Sequence, residues 1–151
     1  MLVRSMFFVA MIVTSIPGQA QDTTSYKRSS SGTRVLENDA GTSIKILVEG
    51  SVLGSSGLEI AEATLPAGGG AGPASHRHGS TELIHVISGE LDHVVNGEAH
   101  RLTPGMVGIV KPNDTVIHRV VGTSPVKVLL VWAPGGEVER LAQRFRQRPI
   151  R

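Results

Sequence analysis

The 151-residue chain contains no cysteine. Disulfides, zinc ribbons and a thiol nucleophile are therefore excluded, and stability has to come from the core alone. Aromatic residues are nearly as scarce: one Trp, one Tyr and three Phe, with Phe7 and Phe8 in the N-terminal segment. A base-stacking surface for nucleic acid needs exposed aromatics that this chain lacks. No apolar run approaches the roughly 20 residues that span a bilayer. Glycine, by contrast, is abundant at 18, with 8 prolines and many valines. That mixture favours short strands joined by tight turns over long helices. An apolar share of 40% and a charged share of 19% are ordinary for one soluble domain, or one domain plus a tail.

Residues 1–20 read as a secretory signal peptide. Arg4 supplies the positive start, Met6 to Ile16 the apolar core, and Pro17 the break. Gly18-Gln19-Ala20 then offers small residues where a signal peptidase cuts. The alternative is a membrane anchor, for which an apolar stretch of about eleven residues is too short. The expected mature chain is 21–151, secreted or periplasmic, with no stable membrane span after cleavage. Without Arg4 it carries 15 − 1 = 14 basic and 13 acidic residues. Five of the basic ones are Arg140, Arg144, Arg146, Arg148 and Arg151, so 21–139 has 9 basic against 13 acidic, a net −4. The positive balance belongs to the C-terminal tail. Such a tail could meet an acidic partner or lipid headgroups, but a solvated amphipathic helix with a frayed end is the simpler reading. A domain of this charge argues against nucleic acid as a partner.

Residues 21–43 are expected to be a flexible arm, polar and rich in Ser and Thr over 21–34. Strand-sized runs then recur at Ile44–Val48, Leu58–Leu65, Glu82–Ile87, Leu91–Val95, Ala99–Leu102, Val107–Val110, Thr115–Val121 and Val126–Trp132. Asn96-Gly97 is a strong two-residue hairpin signal. After Pro134-Gly135-Gly136, Glu137–Arg146 has helical character, with Val138, Leu141 and Phe145 on one face. The organisation is an all-β barrel or sandwich over 44–134, then a short C-terminal helix and basic tail over 135–151.

All six histidines lie between 76 and 118. On a strand His76 and His78 share one face, with Arg77 on the other. Gly79-Ser80-Thr81 can turn the chain so that Glu82 joins them. Two imidazoles and a carboxylate suit a borderline divalent transition metal, and His118 is the best-placed fourth donor. His85 has opposite parity to Glu82 and should face away. His93 is a secondary candidate for the barrel mouth, and His100 for an inward position near the site. Arg77, Arg101 and Arg119 read as outward charges, and Trp132 as a barrel cap, with a substrate platform as the alternative.

Gly70, five residues, His76-x-His78, three residues, Glu82, six residues and Gly89 resembles the first motif of the cupin superfamily at every fixed position. The second motif is degenerate: Asp114 stands at its glycine position, His118 comes one residue late, and Gly122 replaces its asparagine. A one-residue slip reverses a side chain's face, so an inward His118 needs a bulge or a longer turn near Asn113-Asp114. The resemblance, closest to small quercetin dioxygenase-like cupins, implies a double-stranded β-helix (RmlC-like jelly roll). It also implies one metal per chain held by His76, His78, Glu82 and His118, and a homodimer. Iron, manganese, nickel, copper and zinc all accept this ligand set. The open metal positions fit a dioxygenase-like oxidoreductase acting on a small chelating substrate, with Glu82 both ligand and proton acceptor. A metal-dependent lyase or isomerase, and a non-catalytic barrel holding a metal or small ligand, remain alternatives. The shortage of aromatics argues against a flavonoid substrate.

Overall fold

The computed structural model describes residues 26–68 and 75–150. Residues 1–20, where a signal peptide is expected, the first residues of the expected arm, and the motif glycine Gly70 lie outside these residues. Eleven strands and two short helices are described: β1 (Arg34–Glu37), β2 (Ser43–Val48), α1 (Gly50–Leu53), β3 (Glu59–Leu65), β4 (His76–Arg77), β5 (Thr81–Ser88) and β6 (Glu90–Val95). There follow β7 (Glu98–Leu102), β8 (Val107–Val110), β9 (Thr115–Val121), β10 (Val126–Ala133), α2 (Glu137–Ala142) and β11 (Arg146–Pro149). They form a seven-stranded sheet ordered β11-β1-β2-β3-β10-β5-β8 and a four-stranded sheet ordered β4-β9-β6-β7, with every pairing antiparallel. This is the expected all-β barrel with a short helix.

Period-two alternation builds the core. Ala61, Ala63 and Leu65 on β3, Ile84 and Val86 on β5, and Val126, Val128, Leu130 and Trp132 on β10 are buried. Leu91, Leu102 and Val120 of the smaller sheet complete the same cluster. Asn96 and Gly97 both have positive φ, as the tight β6–β7 hairpin requires. Gly89 joins β5 to β6 at φ +81°, and a Cβ there would lie 2.8 Å from the Pro125 carbonyl oxygen. Both constraints exclude any side chain.

The ends of the domain differ from expectation. The arm assigned to 21–43 is interrupted by β1, where Leu36 is fully buried and pairs opposite Ile44. The helix expected over Glu137–Arg146 ends at Ala142, although Phe145 still packs against the core. The basic tail then becomes β11, antiparallel to β1. Its arginines pair within the chain, Arg146 with Asp39 at 3.3 Å and Arg148 with Glu37 at 3.2 Å. Backbone pairing with β1 therefore replaces the frayed helix. No helix among the described residues is long and apolar enough to cross a membrane.

Apart from Tyr26, the large exposed apolar residues described lie on or beside β5 and β8. Leu83 and Ile87 on β5, Met106, and Val107 and Ile109 on β8 all face outward. β8 is the edge strand of its sheet and carries no charge. Natural edges normally use charges, prolines or bulges to discourage pairing with another chain.

Candidate metal centre

β4, β5 and β9 bring His76, His78, Glu82 and His118 together between the two sheets. Parity along β4 and Gly79-Ser80 turns His76 and His78 the same way, and Glu82 points in from β5 with Ile84 and Val86. His118 faces inward on β9, with no bulge in its pairing to β6. A turn sets that register. Asn113 takes a positive φ, Asp114 accepts the Lys111 N–H, and the Asn113 N–H donates to the His78 carbonyl at 3.0 Å. The longer turn thus compensates the extra residue before His118.

Nε2 of His78 lies 3.4 Å from Oε2 of Glu82, and Nε2 of His118 lies 3.6 Å from the same oxygen. All three atoms are buried and have no hydrogen-bond partner, as is Nδ1 of His76. Buried polar atoms are normally satisfied, so converging orphans need a reason. Two donors each about 2.1 Å from a tetrahedral ion stand roughly 3.4 Å apart, close to the spacing found here. Among the described residues no group of three or more His, Cys, Asp or Glu side chains stands ready-made to hold a metal ion. What the site holds is the orphaned Nε2 atoms of His78 and His118 near one Glu82 oxygen, with the His76 ring centroid 4.8 Å from that of His78 and 5.5 Å from that of His118.

Two neighbours orient these donors, and neither role was legible in the sequence. Trp132, opposite Glu82 in the β10–β5 ladder, donates its indole N–H to Oε1 at 3.0 Å. This fixes the carboxylate and leaves Oε2 to the histidines; Trp132 is a positioning group rather than only a cap. Glu137 on α2 places Oε2 3.3 Å from Nδ1 of His78 while its Oε1 accepts the Gly79 N–H at 2.8 Å. α2 is itself seated by buried Glu59, whose carboxylate accepts the Val138 N–H. A carboxylate on the far nitrogen of a ligating histidine sets its tautomer and raises its basicity. Glu137→Gln is accordingly expected to weaken metal binding about 10- to 100-fold without unfolding the protein. A metal titration with a competing chelator, beside a circular dichroism spectrum, checks this.

The other candidates divide. His85 is only partly buried, on the outward parity of β5. His93 is buried and its ring stacks on His118, with centroids 5.3 Å apart and an interplanar angle of 11°. It supports the site rather than the mouth. Gly108 gives it room, since a Cβ there would sit 2.8 Å from the His93 ring. His100, Arg101 and Arg119 are exposed on their strands. Arg77 is exposed as expected, yet it lines the central cavity with Arg140 and Arg144. Parity missed this because β4 is two residues long at a sheet edge, where a long side chain can wrap over the rim.

The cavity measures about 90 Å³ and is bounded by the four donors, the arginines and aliphatic residues including Ile44, Ala63 and Val128. Charge inside it is finely set. Burial would raise the Glu82 carboxyl, but the adjacent His78 imidazole and the nearby His118 and His76 hold it well below the usual range. Burial works against a charged His78, yet its contact with Glu137 and the adjacent Glu82 carboxylate carry it up to about 9. Burial lowers His76 and His118 to about 4. His93 is also lowered by burial.

The pH dependence of the metal-free protein follows. His76 and His118 take up protons in the unfolded chain near pH 6.5 but in the folded one only near 4. Their effect is to remove stability as pH falls through that window. His78 has the opposite sign: its contribution is complete below pH 6.5 and lost as pH rises towards 9. Thermal unfolding in excess chelator is expected to peak near neutrality and fall on both sides. A melting temperature flat from pH 4 to 9 would contradict these assignments.

A family model described as a cupin domain matches residues 61–132. No curated protein matches the chain. Among solved structures, KdgF from a Halomonas species is 18% identical with a TM-score of 0.57, covering 70% of this chain and 91% of its own. An RmlC-like cupin from Shewanella frigidimarina is also 18% identical at a TM-score of 0.57, covering 79% and 96%. A predicted oxalate decarboxylase from Thermotoga maritima is 19% identical at 0.55, covering 68% and 92%. At such identities the likeness speaks for the fold.

Proposed function

We propose, for a chain that belongs to the cupin superfamily, that it is an exported metal protein binding one divalent transition metal through His76, His78, Glu82 and His118. We further propose that it is a dioxygenase-like oxidoreductase acting on a small chelating substrate. Cupins commonly bind a metal. The observation that carries the reading here is the set of buried, partnerless atoms on His78, Glu82 and His118 around one point. A cation satisfies all of them at once, whereas a bare carboxylate and imidazoles in an apolar barrel are costly.

The chain's own residues would work as follows. Trp132 and Glu137 hold Glu82 and His78 in their ligating orientations. The aliphatic walls exclude bulk water and strengthen electrostatic contacts inside. A bound metal would supply Lewis acidity and, if redox-active, an electron route to dioxygen. Glu82 would accept a substrate proton only on turning Oε2 away from the histidines, and among the described lining residues no Tyr or Lys offers a rival base. That favours oxidation over a lyase or isomerase. The 90 Å³ volume is small beside the roughly 300–1,000 Å³ of pockets for drug-sized ligands and favours a compact substrate over a flavonoid.

Purified protein is to be analysed for metal and tested in an oxygen electrode with small chelating acids. About one redox-active metal per chain, absent from His76→Ala, together with substrate-dependent dioxygen uptake, supports the reading. Metal without uptake shifts it to a non-catalytic barrel. Export is supported by Arg4, Met6–Ile16 and Gly18-Gln19-Ala20 and is tested by N-terminal sequencing of the processed chain.

The proposed partner is a second copy, docked through the uncharged β8 edge and its apolar neighbours. Ile109→Glu is expected to convert a dimer to monomer in analytical ultracentrifugation. A wild-type monomer at all concentrations refutes this.

A further inference from the structure

Five of the nine arginines among the described residues form ion pairs with carboxylates. Arg34 pairs with Glu49 and Glu139, Arg101 with Asp92 and Glu90, Arg146 with Asp39 and Arg148 with Glu37. The three arginines bordering the central cavity are less evenly matched. Arg140 is committed to Glu137 at 3.0 Å. Arg77 and Arg144 have no carboxylate within ion-pair distance among the described residues.

The acids of the cavity cannot serve them. Glu82 Oε1 is taken by the Trp132 indole and Oε2 faces the histidines. Glu137 is shared between His78, the Gly79 N–H and Arg140. The remaining wall is mostly apolar, with Thr42 its one hydroxyl and Trp132 and Phe145 its aromatics. Two guanidinium groups without a carboxylate partner thus border a partly enclosed, largely apolar space, next to the candidate metal donors.

We propose that this cavity recognises a compact carboxylate ligand, with Arg77 and Arg144 as the residues that select its negative charge. This deepens the metal reading and rests on it for the second contact. One carboxylate would meet the guanidinium forks, and a second oxygen donor of the same molecule would face His76, His78, Glu82 and His118. Guanidinium suits this task because it is planar, permanently charged and binds carboxylates in pairs of hydrogen bonds. A volume of about 90 Å³, roughly three waters' worth, limits the ligand to a handful of heavy atoms.

The test is calorimetric titration of metal-loaded protein with malonate, and with malonamide as its uncharged analogue. Wild type and Arg119→Gln, which removes an outward charge on β9, are expected to bind malonate alike. The double variant Arg77→Gln/Arg144→Gln is expected to bind it at least tenfold more weakly while holding the same amount of metal. Malonamide is expected to give no heat of binding. Equal affinity in the double variant, equal binding of malonamide, or no malonate binding by wild type overturns the proposal. Parallel titration of chelator-treated protein separates the two readings. Arginine-dependent malonate binding there sustains the anion site even where elemental analysis finds no metal, and so tells against the metal centre alone.

Discussion

Replacing Glu82 by glutamine is expected to empty the metal centre, from about one metal per chain to less than roughly a tenth by elemental analysis. The substitution is nearly isosteric, and the amide oxygen can still accept the Trp132 indole N–H that holds Oε1 now. The barrel should therefore keep its shape. What changes is the second atom: an acceptor carrying negative charge becomes an NH2 group aimed at Nε2 of His78 and Nε2 of His118. Neutralising groups that merely orient a metal ligand costs about 10- to 100-fold in affinity, so removing an anionic ligand itself should cost more. A variant that retains full metal content would show that imidazoles alone hold the ion.

The second large effect is on stability. Gly89→Ala is expected to destabilise the protein by about 2–4 kcal/mol, adding the left-handed backbone penalty to overpacking. The residue sits at φ +81°, and the new Cβ would meet the Pro125 carbonyl oxygen at 2.8 Å and Val126 at 2.9 Å. The Val126 contact at 2.9 Å is with its buried Cγ2, and the backbone contacts, the Pro125 oxygen and Val126 Cα at 3.0 Å, cannot move without shifting the start of β10, which pairs with both β3 and β5. Thermal unfolding followed by circular dichroism should show a drop of roughly 10 °C. A loss below about 2 °C would mean that the β5–β6 turn can rearrange.

Much of this was legible because the signals were local. The eight expected strands match the observed ones to within a residue or so, since alternating valines between Gly, Pro and Asn-Gly turns leave few other readings. The same holds for His76, His78 and Glu82, whose spacing and strand parity put them on one face. His118 was harder: its direction depends on how the 111–114 turn closes, which Asn113 settles by taking a left-handed conformation. β11 was invisible because Arg146, Gln147, Arg148 and Pro149 are all exposed. With no apolar face to bury, the strand is held by backbone pairing with β1 and by ion pairs to Glu37 of β1 and to Asp39 just beyond it. Glu137 stands 59 residues from His78, so nothing in its neighbourhood announces the contact.

The last strand to be made lies against the first. Arg34 and Gln147 touch across 113 positions of sequence, and Glu37 and Arg148 across 111. A sheet edge with so high a contact order closes late, because the loop entropy is lost before the pairing gains anything. β1 waits with one side unpaired until residues 146–149 reach it. The arginine-rich strand β11 is thus a clasp that fastens late. A protein truncated after Phe145 would leave Leu36 beneath an uncovered strand and expose a new edge for aggregation.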